Sequence, residues 1–366
     1  MTMRRHWKAS SSRCNSVSRP GITILGVFAL LASTASCQRS PETTQATYFV
    51  LGTEVTIAMG GLTEAHAHAT LANVQQTLQN IHTQWHAWEP GMLTALNGAF
   101  QEDQCLAISQ PLREVLEQAQ NAEKRSGGLF NAATGGLIKA WGFHTSEYPL
   151  TSAPPAAADL QILIQQRPSM MDVDLGSDCV SSNNPAVKID LGGIGKGAAV
   201  DQVTSLMKRQ GVAYGLVNAG GDLRGFGAKP QPWRIAIRNP SQTSPLALLE
   251  LRGDESVFTS GGYARYGQHE GERYAHILDP RTGKPAMDVL SATAIASTGA
   301  VADAGATALI VAGPDNAMVI ARSMGLTHLL IIEPDGCVSM DAELASRLHY
   351  PAKSPDCLNI LQELHH

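Results

Sequence analysis

From Thr47 to Met59 the chain alternates between polar and apolar positions and carries several β-branched residues, a period-two pattern that predicts a strand interrupted at Gly52. The period then changes. Between Thr63 and Trp88, Ala, Leu, Val, Ile and Trp recur at helical spacing, which predicts a long amphipathic helix packed on a sheet. A second helix is expected over Ser109 to Ser126, with Pro111 near its start and Gly127-Gly128 closing it, since proline suits the first helical turn and glycine the residue after the last. Thr145 to Ala158, rich in Ser, Pro and Ala, reads as an exposed connection.

After that connection, Val187 to Asp190 is expected as a short strand entering a glycine loop, and Ala198 to Gln210 as the helix leaving it. Tyr214 to Asn218, Trp233 to Arg238, Leu246 to Leu251, Ser256 to Thr259 and Val289 to Ala296 are strand candidates punctuated by glycine. Val301 to Val311 and Asn316 to Met324 are helix candidates, and His328 to Ile332 with Cys337 to Met340 form a terminal hairpin. Strand runs with intervening helices and no regular βαβ series predict an α+β fold, with layered mixed or antiparallel sheets flanked by helices.

The N-terminus differs in kind. Arg4, Arg5, Lys8, Arg13 and Arg19 precede an apolar run from Gly21 to Leu31, and small residues then lead to Cys37, the layout of an export signal. The run is shorter than the about 20 residues a spanning helix needs. Thr-Ala-Ser before Cys37 resembles a bacterial lipoprotein cleavage site, which makes residues 1–36 the expected signal, Cys37 a lipid anchor and residues 37–46 a tether. Removing the signal takes five of the 27 basic residues and none of the 32 acidic ones, leaving 22 against 32, a balance of −10. Such a surface repels nucleic acid, and no basic stripe offsets it. Beyond Cys37 stand Cys105, Cys179, Cys337 and Cys357, which either pair outside the cytoplasm, Cys337 with Cys357 being the more local pairing, or stay as buried thiols. No CxxC spacing suggests zinc.

Four segments carry candidate chemistry. Asp190 to Gly197, DLGGIGKG, holds four glycines and Lys196. It is neither a Walker loop, which needs Ser or Thr after the lysine, nor a Rossmann fingerprint, whose third glycine comes one position later. Glycines there admit an anion to the backbone and to the following helix N-terminus; they serve equally well as a tight turn. VNAGGDLRGFG, from Val217 to Gly227, offers Asn218 and Asp222 but reads just as well as a hairpin. In HILDPRTGKP, His276 to Pro285, His276 and Asp279 are candidates for a base, or else Asp279 and Thr282 brace a turn. In ADAGATAL, Ala302 to Leu309, Asp303 and Thr307 are four apart and share a helix face, a sparse oxygen site of the kind magnesium accepts because water and phosphate complete its shell.

Taken in order, Leu51-Gly52-Thr53, GLFNAATGGLIKAWGF (Gly128 to Phe143), DLGGIGKGAAVD, VNAGGD, TSGGY (Thr259 to Tyr263), HILDPRTGKP and ADAGATAL resemble one family, the FAD:protein FMN transferases or ApbE family. The resemblance runs over residues 47–350, leaving 351–366 as a tail, and implies a T-fold-like architecture. It implies magnesium at the positions of Asp303 and Thr307 with a backbone carbonyl at Gly193, and FAD contacts at Leu129, Phe130, Asn131, Lys196, His276, Ile277 and Ala306. It further implies transfer of the FMN phosphoryl group to a threonine hydroxyl of a membrane electron-transfer subunit on the periplasmic side, with AMP released. Which of His276 and Asp279 takes the threonine proton stays open. Three departures stand out: Asn131 where relatives carry Asp, EPGMLTALN without its usual serine, and Ala304-Gly305-Ala306, whose glycine is expected to loosen a helical turn. FAD hydrolysis to FMN and AMP, and flavin storage without turnover, are the alternative activities.

Overall fold

The computed structural model describes residues 43–361 apart from Ala264; the expected signal, Cys37 and the tether up to residue 42 lie outside the described residues. The chain begins with β1 (Thr44–Val50) and β2 (Thr53–Gly60), followed by helices α1 (Glu64–Gln84), α2 (Met92–Gln101), α3 (Gln110–Ser126), α4 (Gly135–Ala140) and α5 (Ala157–Gln165). A small hairpin of β3 (Val173–Leu175) and β4 (Val180–Ser182) precedes α6 (Gly195–Arg209). Then come β5 (Tyr214–Ala219), β6 (Asp222–Gly227), β7 (Arg234–Arg238), β8 (Pro245–Glu250) and β9 (Ser256–Gly261), and a protruding hairpin of β10 (Tyr266–His269) and β11 (Glu272–Ala275). The last part holds β12 (Ser291–Ala296), α7 (Gly299–Ala312), α8 (Ala317–Met324), β13 (His328–Ile332), β14 (Val338–Asp341), α9 (Ala342–Arg347), β15 (Leu348–His349) and β16 (Leu358–Leu361).

Nine of these strands form one sheet in the order β1-β2-β5-β6-β9-β12-β13-β14-β16, antiparallel except where β16 joins β14. Its central strands are covered on both faces, which explains why β12 and β13 are buried at every position. Phe258, Ala292, Ala294, Leu329 and Ile331 point to the helical layer, while Val257, Ile295, Leu330 and Ile332 point to a second core under the small sheet β15-β8-β7 and α9. The molecule is thus an α+β sandwich of helices, large sheet and small sheet, as the strand and helix runs predict. On the helical side, Ala292, Ala294 and Ala296 of β12 meet the alanine-rich α7 in a seam of minimal side chains, which lets α7 lie close on the sheet.

Three local expectations are corrected. Thr47 to Met59 is a hairpin rather than one interrupted strand: Val50 pairs with Thr53, and the two turn residues Leu51 and Gly52 both take positive φ (56° and 71°). A two-residue turn of that hand matches the twist of its flanking strands, so the chain reverses there. The strand also starts at Thr44, inside the segment expected as tether. Val187 to Asp190 is extended but is no strand of a sheet. Its main chain is held by residues 132–135 on one side, and on the other Asn97 Nδ2 donates to the Ile189 carbonyl at 2.9 Å while the Ile189 amide donates to Asn97 Oδ1 at 2.7 Å.

Within the expected tail, Leu358–Leu361 forms β16, clasped to the sheet by the Cys337–Cys357 disulfide; Cys105 and Cys179 form a second bridge. Among the described residues no helix is long and apolar enough to cross a membrane.

Candidate active site

The site is built where α6 and α7 cross. A Cβ at Gly197 would lie 2.1 Å from the Gly299 carbonyl oxygen, so these two helix starts touch backbone to backbone. That approach brings the next side chains together. Asp303, only 2% exposed on α7, accepts the Gly197 amide on Oδ2 at 2.9 Å and faces Lys196 Nζ with Oδ1 at 3.2 Å. Lys196 also reaches Asp222 Oδ2 at 3.0 Å, and Asp222 Oδ1 accepts the Thr259 amide at 2.8 Å. One ammonium therefore serves two carboxylates. Burial alone would depress the lysine, but Asp222 and Asp303 more than offset it and hold Lys196 above its ordinary range. Burial, aided by Asp222 and opposed by Lys196, pushes the Asp303 carboxyl up.

Thr307, one turn beyond Asp303, lies against the glycine loop: a Cβ at Gly193 would sit 3.1 Å from Thr307 Oγ1 and 3.2 Å from the Phe130 ring. Its hydroxyl is 3.2 Å from Ser260 Oγ. Gly193, Lys196, Asp303 and Thr307 are thus brought together as expected, with Asp222 and Ser260 added. Asp222 was visible in the VNAGGD cluster, but nothing in that stretch marks it as the second seat of Lys196.

The expected phosphate cradle is only partly available. The amides of Gly192, Ile194, Gly195 and Gly197 already donate within the protein, to Asp190, Leu191, Leu191 and Asp303. Positive charge at this loop comes chiefly from the Lys196 side chain rather than from a ring of open amides.

His276 follows β11 and lies within electrostatic range of Lys196 and Asp190. Its Nδ1 lies 3.0 Å from the Arg265 carbonyl oxygen, and the Phe143 ring stands 6.1 Å away edge to face. Enclosure by protein pushes its pKa down to about 4, with Arg265 and Lys196 pushing the same way and Asp190 resisting. Asp279 is engaged elsewhere. Its carboxylate accepts the Arg281 amide at 2.9 Å and a bidentate pair from the Arg281 guanidinium, bracing the turn.

The remaining expected flavin contacts are mostly walls. Leu129, Phe130, Ile277 and Ala306 have their side chains in the main core. Asn131 spends its amide locally, donating to the Pro168 carbonyl at 2.9 Å and accepting the Ala133 amide at 2.8 Å. The loosened turn expected at Gly305 is absent: α7 runs unbroken, and a Cβ at Gly305 would lie 2.6 Å from Leu326, so the glycine serves packing. A polar pair unforeseen in the sequence sits beside the loop, His144 Nε2 against Asp190 Oδ2 at 3.0 Å, with the half-exposed Trp88 stacked on the histidine at 5.1 Å.

Comparison with known proteins identifies the family. A model of the ApbE family matches residues 51–330. A Rhodobacter capsulatus protein named FAD:protein FMN transferase is 36% identical over 329 residues, 90% of this chain but 61% of that protein's length, so the chain spans about three fifths of that relative. A Treponema pallidum protein of the same name is 32% identical over 78% of this chain and 82% of its own. Among solved structures, the ApbE protein of Thermotoga maritima superposes with a TM-score of 0.76 at 27% identity, covering 84% of this chain and 99% of its own. The flavin transferase ApbE of Vibrio cholerae gives 0.71 at 26% identity, over 82% and 96%.

Proposed function

Because this chain belongs to the ApbE family, we propose that it is an FAD:protein FMN transferase, which splits the FAD diphosphate and passes the FMN phosphoryl group to a threonine hydroxyl of an acceptor protein, releasing AMP. The observation that carries the reading is the meeting of Lys196, Asp303 and Thr307 under Gly193, with a neutral His276 within electrostatic reach.

A divalent cation fits the residues present. Asp222 and Asp303 are two carboxylates facing a single Lys196 ammonium, a donor set with room for a further positive charge. Asp303 and Thr307 are hard oxygen donors one helical turn apart, with Gly193 against Thr307, few enough donors to suit magnesium with the Gly193 carbonyl as a third. When bound, the ion supplies charge stabilisation for the phosphate oxygens.

The protein's own groups divide the remaining work. Lys196, fixed by two carboxylates, holds a diphosphate oxygen and offsets the charge that grows on the leaving AMP. The acceptor threonine oxygen forms a bond to the FMN phosphorus while the bond from that phosphorus to the bridging oxygen breaks, and the bridging oxygen leaves with AMP. His276, neutral with a lone pair to spare, is the better placed of the two expected bases, because Asp279 is tied to Arg281. The basic, apolar and small-residue order of the first 36 residues supports export, anchoring at Cys37 and an acceptor among membrane electron-transfer subunits facing the periplasm.

The test is incubation of the chain with FAD, Mg²⁺ and a domain carrying a candidate acceptor threonine. Flavin fluorescence that stays with the acceptor under denaturing conditions, with AMP in equal amount, upholds the proposal. AMP without covalent flavin makes the chain an FAD hydrolase, and bound FAD without AMP makes it a flavin carrier.

A further inference from the structure

His276 is held by a residue that neither the glycine loop nor the metal helix supplies. We propose that Arg265 is a positioning residue for His276: its main-chain carbonyl keeps the imidazole as the Nδ1–H tautomer with Nε2 turned free, and its guanidinium stands guard against protonation of that nitrogen. The base role of His276 rests on the transferase reading; the geometry does not.

The tautomer follows from donor and acceptor counting. A carbonyl oxygen has no proton to give, so the 3.0 Å contact from Nδ1 to Arg265 places the ring proton on Nδ1. A neutral imidazole has one donor and one acceptor nitrogen, which leaves Nε2 to accept.

The guanidinium comes from the same residue and acts on the ring through its charge. Its Nη2 is 3.7 Å from where a Cβ on Gly52 would stand, in the turn between β1 and β2, and its centre is 6.0 Å from the Tyr148 ring. Among the described residues Arg265 forms no ion pair with a carboxylate, unlike Arg224, Arg281 or Arg347. Its charge is therefore not cancelled at source. The charged groups that act on His276 are Arg265 from the loop before β10, Lys196 from α6 and Asp190 from the glycine loop, two cations against one carboxylate. After burial itself, Arg265 is the strongest of the influences that hold the ring neutral. The consequence is a histidine that accepts a substrate proton over a wider acid range than an ordinary one, fixed in orientation by the residue that tunes it.

The experiment uses the full chain with ¹⁵N-labelled histidine, His276 assigned by loss of its signals in His276→Asn, and long-range ¹⁵N–¹H spectra followed against pH. The wild type is expected to show the Nδ1–H tautomer and a midpoint well below 6.5, the ordinary value. Arg265→Gln should raise that midpoint by roughly 0.5–1 unit, and Arg265→Lys, which keeps the charge, should leave it near the wild type. The acid limb of kcat/KM for FAD should move with the NMR midpoint. An Nε2–H tautomer in the wild type, or superimposable titrations of wild type and Arg265→Gln, overturns the proposal. A chain that leaves FAD intact yet shows both NMR results upholds the role of Arg265 and refutes the transferase reading alone.

Discussion

Asp201 and Asp303 cap each other's helices. Asp303, on α7, accepts the Gly197 amide in the first turn of α6, while Asp201, on α6, accepts the amides of Gly299 and Ala300 at the start of α7, at 2.7 and 3.0 Å. Neither helix has a side-chain cap from its own N-cap residue, Ile194 or Thr298. The crossing that builds the site is thus locked by two exchanged carboxylates, each favoured by the positive end of the helix it meets.

Replacing Asp201 by Ala should cost about 2 kcal/mol or more, because two helix amides lose their acceptor and the partly buried Arg224, which pairs with Asp201, loses its carboxylate. The check is the urea midpoint of the variant against the wild type, read by circular dichroism. An unchanged midpoint removes the reciprocal cap as a stabilising device.

Gly197→Ala puts a methyl group into the backbone contact with Gly299 and should force the helix starts apart. Overpacking of that kind costs ~1–3 kcal/mol. Because Lys196 and Asp303 meet only through this approach, the variant should also lose most FAD cleavage; melting temperature and AMP release measured on one preparation check both halves.

Asp303→Asn keeps the shape of the side chain while removing its charge. It should bring metal-dependent FAD cleavage down by at least 10²-fold, the scale seen when one preorganised charge-stabilising group is lost. The measurement is AMP release across a magnesium titration, with the melting temperature as control for the fold. Turnover near the wild-type level would refute the assigned role of Asp303.

For pH, the sign follows from His276. Its folded pKa of about 4 lies below the ordinary 6.5, so the unfolded chain binds more protons between those values and stability must fall as pH drops from 6.5 towards 4. In His276→Gln that part of the acid loss should vanish, leaving a flatter profile of urea midpoint against pH. Parallel profiles for the two proteins would contradict a His276 kept neutral in the folded chain.

The Cys337–Cys357 bridge closes a loop with a sequence separation of 20 and fastens β16 to β14. Cys357→Ser should lower stability by ~3 kcal/mol on the loop-closure scale. Amides of residues 358–361 should then exchange with solvent far faster than those of β14, which hydrogen–deuterium exchange can resolve.

Much of the frame was legible because period and punctuation agreed, as in α3, where Pro111 and Gly127 bracket an apolar helical stripe. The turn at Leu51-Gly52 was missed because a leucine at positive φ leaves no compositional mark. Val187 to Asp190 looked like a strand since its residues suit one, yet its second partner is the Asn97 side chain, 92 positions away. The pairing of Asp303 with Thr307 follows from helical spacing, whereas the sharing of Lys196 by Asp222 and Asp303 depends on how α6, α7 and β6 come together. Contacts of that range are set by packing, which spacing along one element does not encode.

The alanine seam between β12 and α7 limits how the site could be altered. With residues already trimmed to a methyl group or less on both sides, substitution there can free little more than a methyl's volume, and any added carbon would lift α7 off its bed. Changes to the site are therefore left to residues outside that seam, such as Arg265 in the loop before β10 and Trp88 stacked on His144.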